Sequence, residues 1–226
     1  MGEQNGARRL RPYVFVCLAA MIAAQMAAFY LTRLLLPCLP VHDLSSSLDA
    51  LVPFAPGWIA VYCLAYPFWL VSALWILAES RPHALRFACA YVLAMLLSAA
   101  VFLAYPCTME RADVSGGGFF TAWVRLVYAA DAPTNLCPSL HVLINYFCWR
   151  GALGCRRIPR WYKRFAFVFL LLVCASVLLV KQHVAADIPA AVLIGEAALQ
   201  AVRLGRPERL FPAGDRAGSG EKEDAV

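Results

Sequence analysis

The sequence predicts an all-α polytopic membrane protein, a six-transmembrane-helix bundle with both termini in the cytoplasm. Of its 226 residues, 62% are hydrophobic and 15% are charged, whereas roughly a quarter of the residues in an ordinary soluble domain are charged. The hydrophobic residues fall in runs of about 20, the length that a helix needs to cross a hydrocarbon core of roughly 30 Å. A further observation, the distribution of lysine and arginine, orients these runs across the membrane.

Six hydrophobic runs follow one another and form one predicted membrane domain, residues 12–204. The runs cover residues 12–36, 54–78, 84–104, 138–154, 165–180 and 185–204. The last is the least hydrophobic because it contains Asp187, Pro189 and Glu196, and a segment lying on the membrane surface is the alternative to a sixth helix. Ionisable residues at membrane depth usually face the bundle interior and mark function, so we predict a helix. Because proline cannot sit inside a regular helix, this helix must begin near Ala186 or bend.

Basic residues predict the orientation of the bundle. Of the 20 lysines and arginines, all but Arg33, Arg111, Arg125 and Lys181 fall at the ends of the runs that share a side with the two termini. Short loops rich in lysine and arginine stay in the cytoplasm, so both termini are predicted to be cytoplasmic. The short loops favour a multi-pass protein of a bacterial cytoplasmic membrane, with an endomembrane compartment as the alternative. The net charge of +6 follows from this topology and from contact with anionic lipid headgroups, and it requires no nucleic-acid partner.

The segments that flank the membrane domain are both predicted to be cytoplasmic. The first run is longer than the roughly 7–15 apolar residues of a cleaved signal peptide, so residues 1–11 are expected to be a retained N-terminal segment. Residues 205–226, rich in glycine, proline and charge, are expected to be a disordered tail. The nine cysteines contain no C-x-x-C pair, which disfavours a zinc framework. Cys107 and Cys137 fall on the outer side, where they either form a disulfide or stay unpaired. A homo-oligomer is compatible with the sequence.

Several polar residues fall on the predicted outer face, and their chemistry suits an anionic group. Pro138 and Ser139 begin the fourth helix, and a helix start presents free N–H groups and a positive dipole end to an anion. The hydroxyl of Ser139 adds a further donor. Arg111 provides planar, bidentate contacts to phosphate oxygens, and Lys181 provides a point charge.

Two histidines on the same face can carry covalent and proton-transfer chemistry. His183 and Asp187 are four residues apart, so we expect them to meet on one helix face, where the carboxylate would fix the tautomer of the imidazole and raise its basicity. His141 supplies a second imidazole that can donate a proton. A nucleophile, a proton donor and several phosphate ligands together predict a phosphoryl-transfer site. A metal bound by the same three residues is disfavoured because Arg111 and Lys181 would repel it, so we expect no metal and no cofactor.

At these positions the chain resembles the type 2 phosphatidic acid phosphatase superfamily, which also contains the vanadium haloperoxidases. The matching residues are Pro138-Ser139-Leu140-His141 for the motif Pro-Ser-x-His, Ser176 and His183-x-x-x-Asp187 for the motif that ends in His-x-x-x-Asp, and Arg111 for the first motif. The resemblance covers residues 105–195. It implies that His183 is the nucleophile that forms a phosphohistidine, that Asp187 holds this histidine, and that His141 protonates the leaving oxygen. The phosphate-binding residues are then Arg111, Ser139, Ser176 and Lys181.

Three functions remain open on the sequence. The resemblance implies an integral membrane lipid phosphatase that hydrolyses a lipid phosphate monoester or diphosphate at the extracytoplasmic face, with that lipid phosphate and the membrane lipids as its partners. Two other cations of the family's motifs fall at Ala104 and Val177 here, and the run Lys-Gln-His-x-x-x-Asp is similar to the inositol phosphorylceramide synthase branch. This second likeness implies a head-group phosphotransferase. The third function is a non-catalytic lipid-binding or transport protein of the same fold, which the retained histidines and aspartate disfavour.

Overall fold

A computed structural model describes residues 11–35 and 38–205. In chain order, these residues form α1 (Pro12–Leu35), β1 (His42–Asp43), α2 (Ser47–Leu51), α3 (Ile59–Leu77), α4 (Arg81–Ala104), β2 (Cys107–Thr108), α5 (Phe119–Ala130), α6 (Leu140–Leu153), α7 (Arg160–Leu179) and α8 (Asp187–Gly205). Within α1, the stretch Ala27–Leu31 is π-helical, and a 3-10 turn, Pro56–Trp58, leads into α3. The predicted N-terminal segment and the predicted tail lie almost wholly outside the described residues.

Five of these helices are long and apolar enough to cross a membrane, which confirms the all-α class and supports the prediction of a membrane protein. They are α1, α3 together with the turn before it, α4, α7 and α8. The predicted fourth run forms α6, which has 14 residues and is shorter than the roughly 17–25 residues of a membrane-spanning helix. A sixth crossing therefore stays a prediction. Helix α8 begins at Asp187, so Pro189 lies in its first turn, where a missing N–H leaves no intrahelical hydrogen bond unmade.

Helix α6 lies at the centre of the bundle. Almost all of its residues are buried, and it packs against α3, α7 and α8. Two glycines allow the close approach: Gly151 faces the ring of Phe87, and a Cβ atom on Gly195 would lie 2.8 Å from the ring of Tyr146. Because a side chain at either glycine would collide with these rings, the two glycines set the distance between α6 and its neighbours.

The loops meet at two opposite ends of the bundle. At one end, the carboxylate of Glu79 accepts hydrogen bonds from the backbone N–H groups of Arg156 (3.0 Å) and Arg157 (3.2 Å), which ties the α3–α4 turn to the α6–α7 turn. At the other end, β1 pairs in parallel with β2, with His42 opposite Cys107. The predicted site residues lie at or near this second end, in the loops before α6 and α8 and in the adjoining helix turns.

Helix α5 has two different faces at the second end of the bundle. Thr121 and Val124 are buried against the bundle, whereas Phe119, Trp123 and Leu126 are exposed. An amphipathic helix with exposed aromatic rings is typical of a segment that lies at the surface of a membrane. The aromatic stretch after β2 is folded as a helix at the same end of the bundle as the predicted site residues.

Candidate active site

His183 and Asp187 are in direct contact. His183 Nδ1 lies 2.8 Å from Asp187 Oδ2, and the carboxylate is completely buried. The contact does not form on one face of a helix, as the spacing predicted: His183 lies in the turn between α7 and α8, and Asp187 is the first residue of α8. The prediction of the contact is confirmed, whereas the predicted helical geometry is wrong because the chain turns sharply between the two residues.

The same turn fixes the proton on one ring nitrogen of His183. Asp187 Oδ2 also accepts from the N–H of Val184 at 3.1 Å, and the backbone oxygen of Asp187 accepts from the N–H of Ser139 at 3.4 Å. A carboxylate held in this way favours the tautomer with the proton on Nδ1. His183 Nε2 then carries the lone pair, which is the arrangement that a nucleophilic histidine requires.

Residues of the run Lys-Gln-His-x-x-x-Asp cap the C-terminal end of α7. The N–H groups of Gln182 (3.0 Å) and His183 (3.1 Å) both donate to the carbonyl of Val177, which satisfies a helix-terminal oxygen. Lys181 has φ 52, in the left-handed region that a residue with a side chain rarely adopts. Strained backbone of this kind clusters at functional sites, and here it positions His183.

His141 and His183 line one cavity, which we call the aromatic cavity. It has a volume of about 150 Å³ and lies between α1, α3, α6 and the loop before α6. The ring of His141 stacks on Tyr62 with centroids 3.9 Å apart and meets Tyr66 and Trp69 edge-on at 5.3 and 5.0 Å. Within the described part of the chain, His141 Nε2 is buried without a hydrogen-bond partner. Aromatic packing thus holds the imidazole of His141 in the cavity that His183 also lines.

Ser139 positions His141 by beginning its helix. The side chain of Ser139 is buried and accepts a hydrogen bond from the N–H of Val142 at 3.4 Å, as the N-cap of α6. An N-cap serine satisfies one of the free N–H groups at a helix start. His141 therefore lies in the first turn of α6, where the positive end of the helix dipole faces the aromatic cavity.

Arg111 is held in place by three contacts. Its Nη1 donates to the carbonyl of Tyr128 at 3.1 Å, its Nη2 donates to the Oε1 of Gln182, and its Cζ lies 4.3 Å from the centroid of the Tyr128 ring. Burial lowers the pKa of Arg111 from its ordinary value, and the nearby carboxylate of Asp131 opposes this effect. An arginine fixed in this way is a preorganised cation next to the motif histidine.

Arg111, Lys181 and His183 line a second space, which we call the cationic groove after its arginine and lysine; three acidic residues, Asp43, Asp49 and Glu110, also line it. It has a volume of about 290 Å³ and opens beside α2 and the loop after β2. Lys181 Nζ donates to the backbone oxygen of Asp49 at 2.7 Å, and a carboxylate oxygen of Asp49 accepts from the N–H of Ala185. These contacts bring α2 over the turn that holds His183. His183 lines both the cationic groove and the aromatic cavity, so the two spaces meet at this residue.

Ser176 lies outside both spaces. Its hydroxyl is fully buried and donates to the carbonyl of Val173 within α7 at 2.9 Å. The residue lines neither the aromatic cavity nor the cationic groove. The hydroxyl is engaged inside its own helix. Its contact with phosphate stays a prediction.

The remaining histidines have local partners, and the two cysteines of the predicted outer side are at least partly buried. His42, interpreted from the sequence as a packing residue, stacks on Tyr105 with ring centroids 4.2 Å apart. His83, interpreted in the same way, has its Nε2 3.4 Å from the Sγ of Cys155. Cys107 and Cys137 are free thiols, and burial raises the pKa of Cys107 to about 11 and that of Cys137 to about 12.

Two residues of the site were not identified from the sequence. Gln182 contacts Arg111 through Oε1, is buried, lines the aromatic cavity, and its Nε2 has no partner among the described residues. Asp131 also lines this cavity, and its carboxylate lies 3.6 Å from Nη1 of Arg33. Burial raises the pKa of Asp131, although His183, Arg111 and Arg33 oppose the shift. Gln182 could have been found from its place beside His183, whereas nothing in the sequence around Asp131 marks it.

Irregular backbone shapes the aromatic cavity. Asn135 Nδ2 donates to the carbonyl of Phe29 at 3.1 Å and to the hydroxyl of Thr32 at 2.9 Å, next to the π-helical stretch of α1. Such stretches free carbonyl groups for other partners and are frequent at functional sites. On the opposite wall, Pro67 interrupts the hydrogen bonds of α3 between Tyr66 and Trp69, two of the three aromatic residues that contact His141.

Neither a protein-family model nor a curated protein matches the chain. Among residues 11–35 and 38–205, no group of three or more His, Cys, Asp or Glu side chains is placed to hold a metal ion. The function is therefore inferred from the residues of the aromatic cavity and the cationic groove.

Proposed function

We propose that the chain is an integral membrane lipid phosphatase that hydrolyses a lipid phosphate monoester or diphosphate through a phosphohistidine. One observation carries this proposal: His183, with buried Asp187 behind it, lies where a cavity that contains a second histidine meets a groove lined by two cations and three acidic residues. A nucleophile, a proton donor and a cationic phosphate site are the components that phosphoryl transfer requires.

The reaction follows from the placement of the two histidines. His183 Nε2 attacks phosphorus while the bond from phosphorus to the lipid oxygen breaks, and His141 donates a proton to that oxygen. His141 then takes a proton from water, whose oxygen attacks phosphorus and displaces His183 as inorganic phosphate is released. The charge of Asp187 stabilises the imidazolium that His183 becomes in the covalent intermediate.

Arg111 and Lys181 act on the charge of the phosphoryl group. Negative charge on the equatorial oxygens is best stabilised by donors that are already in position. Arg111 meets this condition because Tyr128 and Gln182 hold its guanidinium group. The Nε2 of Gln182, which has no hydrogen-bond partner among the residues that the structure describes, supplies a further donor at the edge of the aromatic cavity.

The short helix α6 suits a site inside the outer half of the membrane. At the helical rise, the 14 residues of α6 extend about 21 Å, less than a hydrocarbon core of roughly 30 Å. We propose that α6 is the sixth membrane segment and that its Ser139 end stops below the outer surface of the cytoplasmic membrane. A lipid phosphate can then reach His141 and His183 while its chains stay at membrane depth.

Head-group transfer is the second candidate. Val177, which stands at the position of a family cation, is fully buried, and its carbonyl caps the end of α7. The cations that line the cationic groove are Arg111 and Lys181. A phosphodiester carries less negative charge than a phosphate monoester, so a groove with few cations favours the diester substrate of a head-group phosphotransferase.

The test is the product formed by the purified full-length protein in lipid nanodiscs. Lipid phosphate monoesters, diphosphates and phosphodiesters are supplied with and without acceptor lipids, and the products are identified by mass spectrometry. We expect the wild-type protein to release inorganic phosphate from a monoester or diphosphate, and His183→Ala to form no product. His42→Ala is the matched control, because His42 lies at the same end of the bundle but outside the site, and it should show normal turnover. A lipid product that forms only when an acceptor is present would assign the transferase. Absence of any product would contradict both.

A further inference from the structure

A second cavity adjoins the aromatic cavity, and we call it the apolar cavity. It has a volume of about 150 Å³ and lies between α1, α3, α4 and α6. Gln25, Tyr66, Trp69 and Ile144 line both cavities. The two spaces therefore meet at a junction that is formed by aromatic rings next to His141.

The walls of the apolar cavity suit a hydrocarbon. Beyond the junction, its lining consists of aliphatic, aromatic and sulfur-containing side chains from four helices: Leu18, Met21, Ile22, Leu70, Ala73 and Phe87 are among them. Gln25 is a polar residue in this lining, and its Oε1 already accepts a hydrogen bond from the hydroxyl of Tyr91 at 2.6 Å. A polar ligand would lose its hydrogen bonds with water on entering this space, whereas an apolar one would not.

The apolar cavity extends along α3, away from the two histidines. Tyr66 lies at the junction and Ala73 lies deeper in the lining. Seven residues of helix separate them, a distance of about 10 Å at the helical rise. A group bound beside His141 could thus continue into the cavity for several methylene groups, past Trp69 and towards Ala73.

The mouth of the apolar cavity opens at the outside of the bundle, between α1 and α3. Ile22 on α1 and Leu70 on α3 line the cavity and are 47% and 49% exposed. Helix α1 packs mainly against α4 and touches α3 at fewer points, which leaves a seam between α1 and α3. Since both helices are long and apolar enough to span a membrane, this seam would face the lipid chains.

We propose that the apolar cavity binds one hydrocarbon chain of the lipid phosphate, and that this chain enters sideways through the seam between α1 and α3. The inference rests on the proposed function, because it places the phosphate of the same molecule between His141 and His183. A chain that leaves the bilayer for the cavity gains little hydrophobic free energy, since lipid tails are as apolar as the walls. Its contribution is to position the phosphate. The walls thus select a lipid by the length and width of one chain.

A series of straight-chain alkyl phosphates, from ethyl to octyl, tests this selection by turnover. These esters are water-soluble, so each methylene that enters the cavity should raise kcat/KM roughly fourfold, until the cavity is full. Ala73→Phe fills the deep end of the cavity and should end this increase at a shorter chain, with ethyl phosphate unaffected. The matched control is Ala197→Phe, in a separate apolar groove between α4 and α8, which should follow the wild type. A wild-type rate that is independent of chain length, or an equal loss for all esters in Ala73→Phe, would overturn the proposal.

A photo-crosslinking measurement tests the chain site without turnover. A non-hydrolysable hexadecyl phosphonate with a diazirine in the middle of its chain is bound to the full-length protein in nanodiscs, irradiated, and mapped by mass spectrometry. We expect adducts on the segments that line the apolar cavity, fewer adducts in Ala73→Phe, and no change in Ala197→Phe. Adducts spread over all lipid-facing helices would overturn the chain site. Adducts in the cavity of a protein that hydrolyses no lipid phosphate would instead contradict the proposed function and leave the chain site standing.

Discussion

Asp187 presents Oδ2 to both Nδ1 of His183, at 2.8 Å, and the N–H of Val184, at 3.1 Å. The two donors come from the turn that precedes α8, so the histidine and the backbone of the turn are held by one buried carboxylate. Loss of either hydrogen bond would therefore change both the orientation of the His183 ring and the ring nitrogen that carries its proton. The strained, left-handed Lys181 lies two residues before this histidine, in the same turn.

Arg111 is expected to act through the geometry of its guanidinium group. Arg111→Lys keeps the charge but cannot bond Tyr128 and Gln182 while also presenting two donors to phosphate. We expect a loss of about 10²-fold in kcat, the effect of removing one preorganised donor, with little change in thermal stability. The control is Arg125→Lys on the exposed face of α5, which should retain wild-type kcat. Equal kcat in Arg111→Lys and the wild type would exclude this role.

The carboxyl of Asp131 should make anion binding depend on pH. Its pKa is raised by burial, so it keeps its proton above the ordinary value of about 3.9, and as pH rises it ionises and repels a bound anion. Asp131→Asn cannot ionise. Inhibition by vanadate should therefore weaken with rising pH more in the wild type than in this variant. The ratio of the two inhibition constants, measured between pH 4.5 and 8, should increase with pH, and a constant ratio would show that Asp131 does not face the anion.

Contacts between residues that are close together in the sequence were predictable, whereas contacts between residues far apart in the sequence were not. The helix start at Ser139 and the His183–Asp187 contact follow from residues a few positions apart, and local chain geometry was enough to predict them. The Arg111–Gln182 contact joins residues 71 positions apart, and only the packed bundle shows it. The length of α6 was overestimated because Pro138 and Ser139, which were interpreted as the first residues of the helix, precede it, and Gly154 is its C-cap. Pro189 predicted a helix start near Ala186 or a bend, and α8 begins at Asp187. The geometry of the His183–Asp187 contact was wrong because a spacing of four also fits one helix face.

The role of His141 is tested by the leaving group. An alkyl phosphate leaves as a strongly basic alkoxide and needs a proton, whereas nitrophenolate is stable and needs it much less. General acid catalysis typically contributes 10²–10⁴-fold, so His141→Ala should lose about that factor on a lipid ester. The loss on nitrophenyl phosphate should be clearly smaller. The same loss on both esters would show that His141 is not the acid, and would leave it a packing partner of Tyr62 and Trp69.

The orientation of the bundle is tested by labelling from outside the cell. Ser115 and Arg157 are both exposed and lie in loops at opposite ends of the bundle. A membrane-impermeant maleimide should reach Ser115→Cys in intact cells and should reach Arg157→Cys only after the membrane is opened. Native cysteines are replaced by serine in both variants as the background control. Labelling of Arg157→Cys in intact cells would place the candidate site on the cytoplasmic side.

The most direct test of the central claim is the position of the phosphoryl group during turnover. Full-length protein is quenched in alkali while it hydrolyses a lipid phosphate, because the phosphorus–nitrogen bond of phosphohistidine breaks in acid, and the modified residue is located by mass spectrometry. We predict phosphate on His183, none in His183→Ala, and phosphate still on His183 in His141→Ala. Phosphate found on His141, or normal turnover by His183→Ala, would contradict the account.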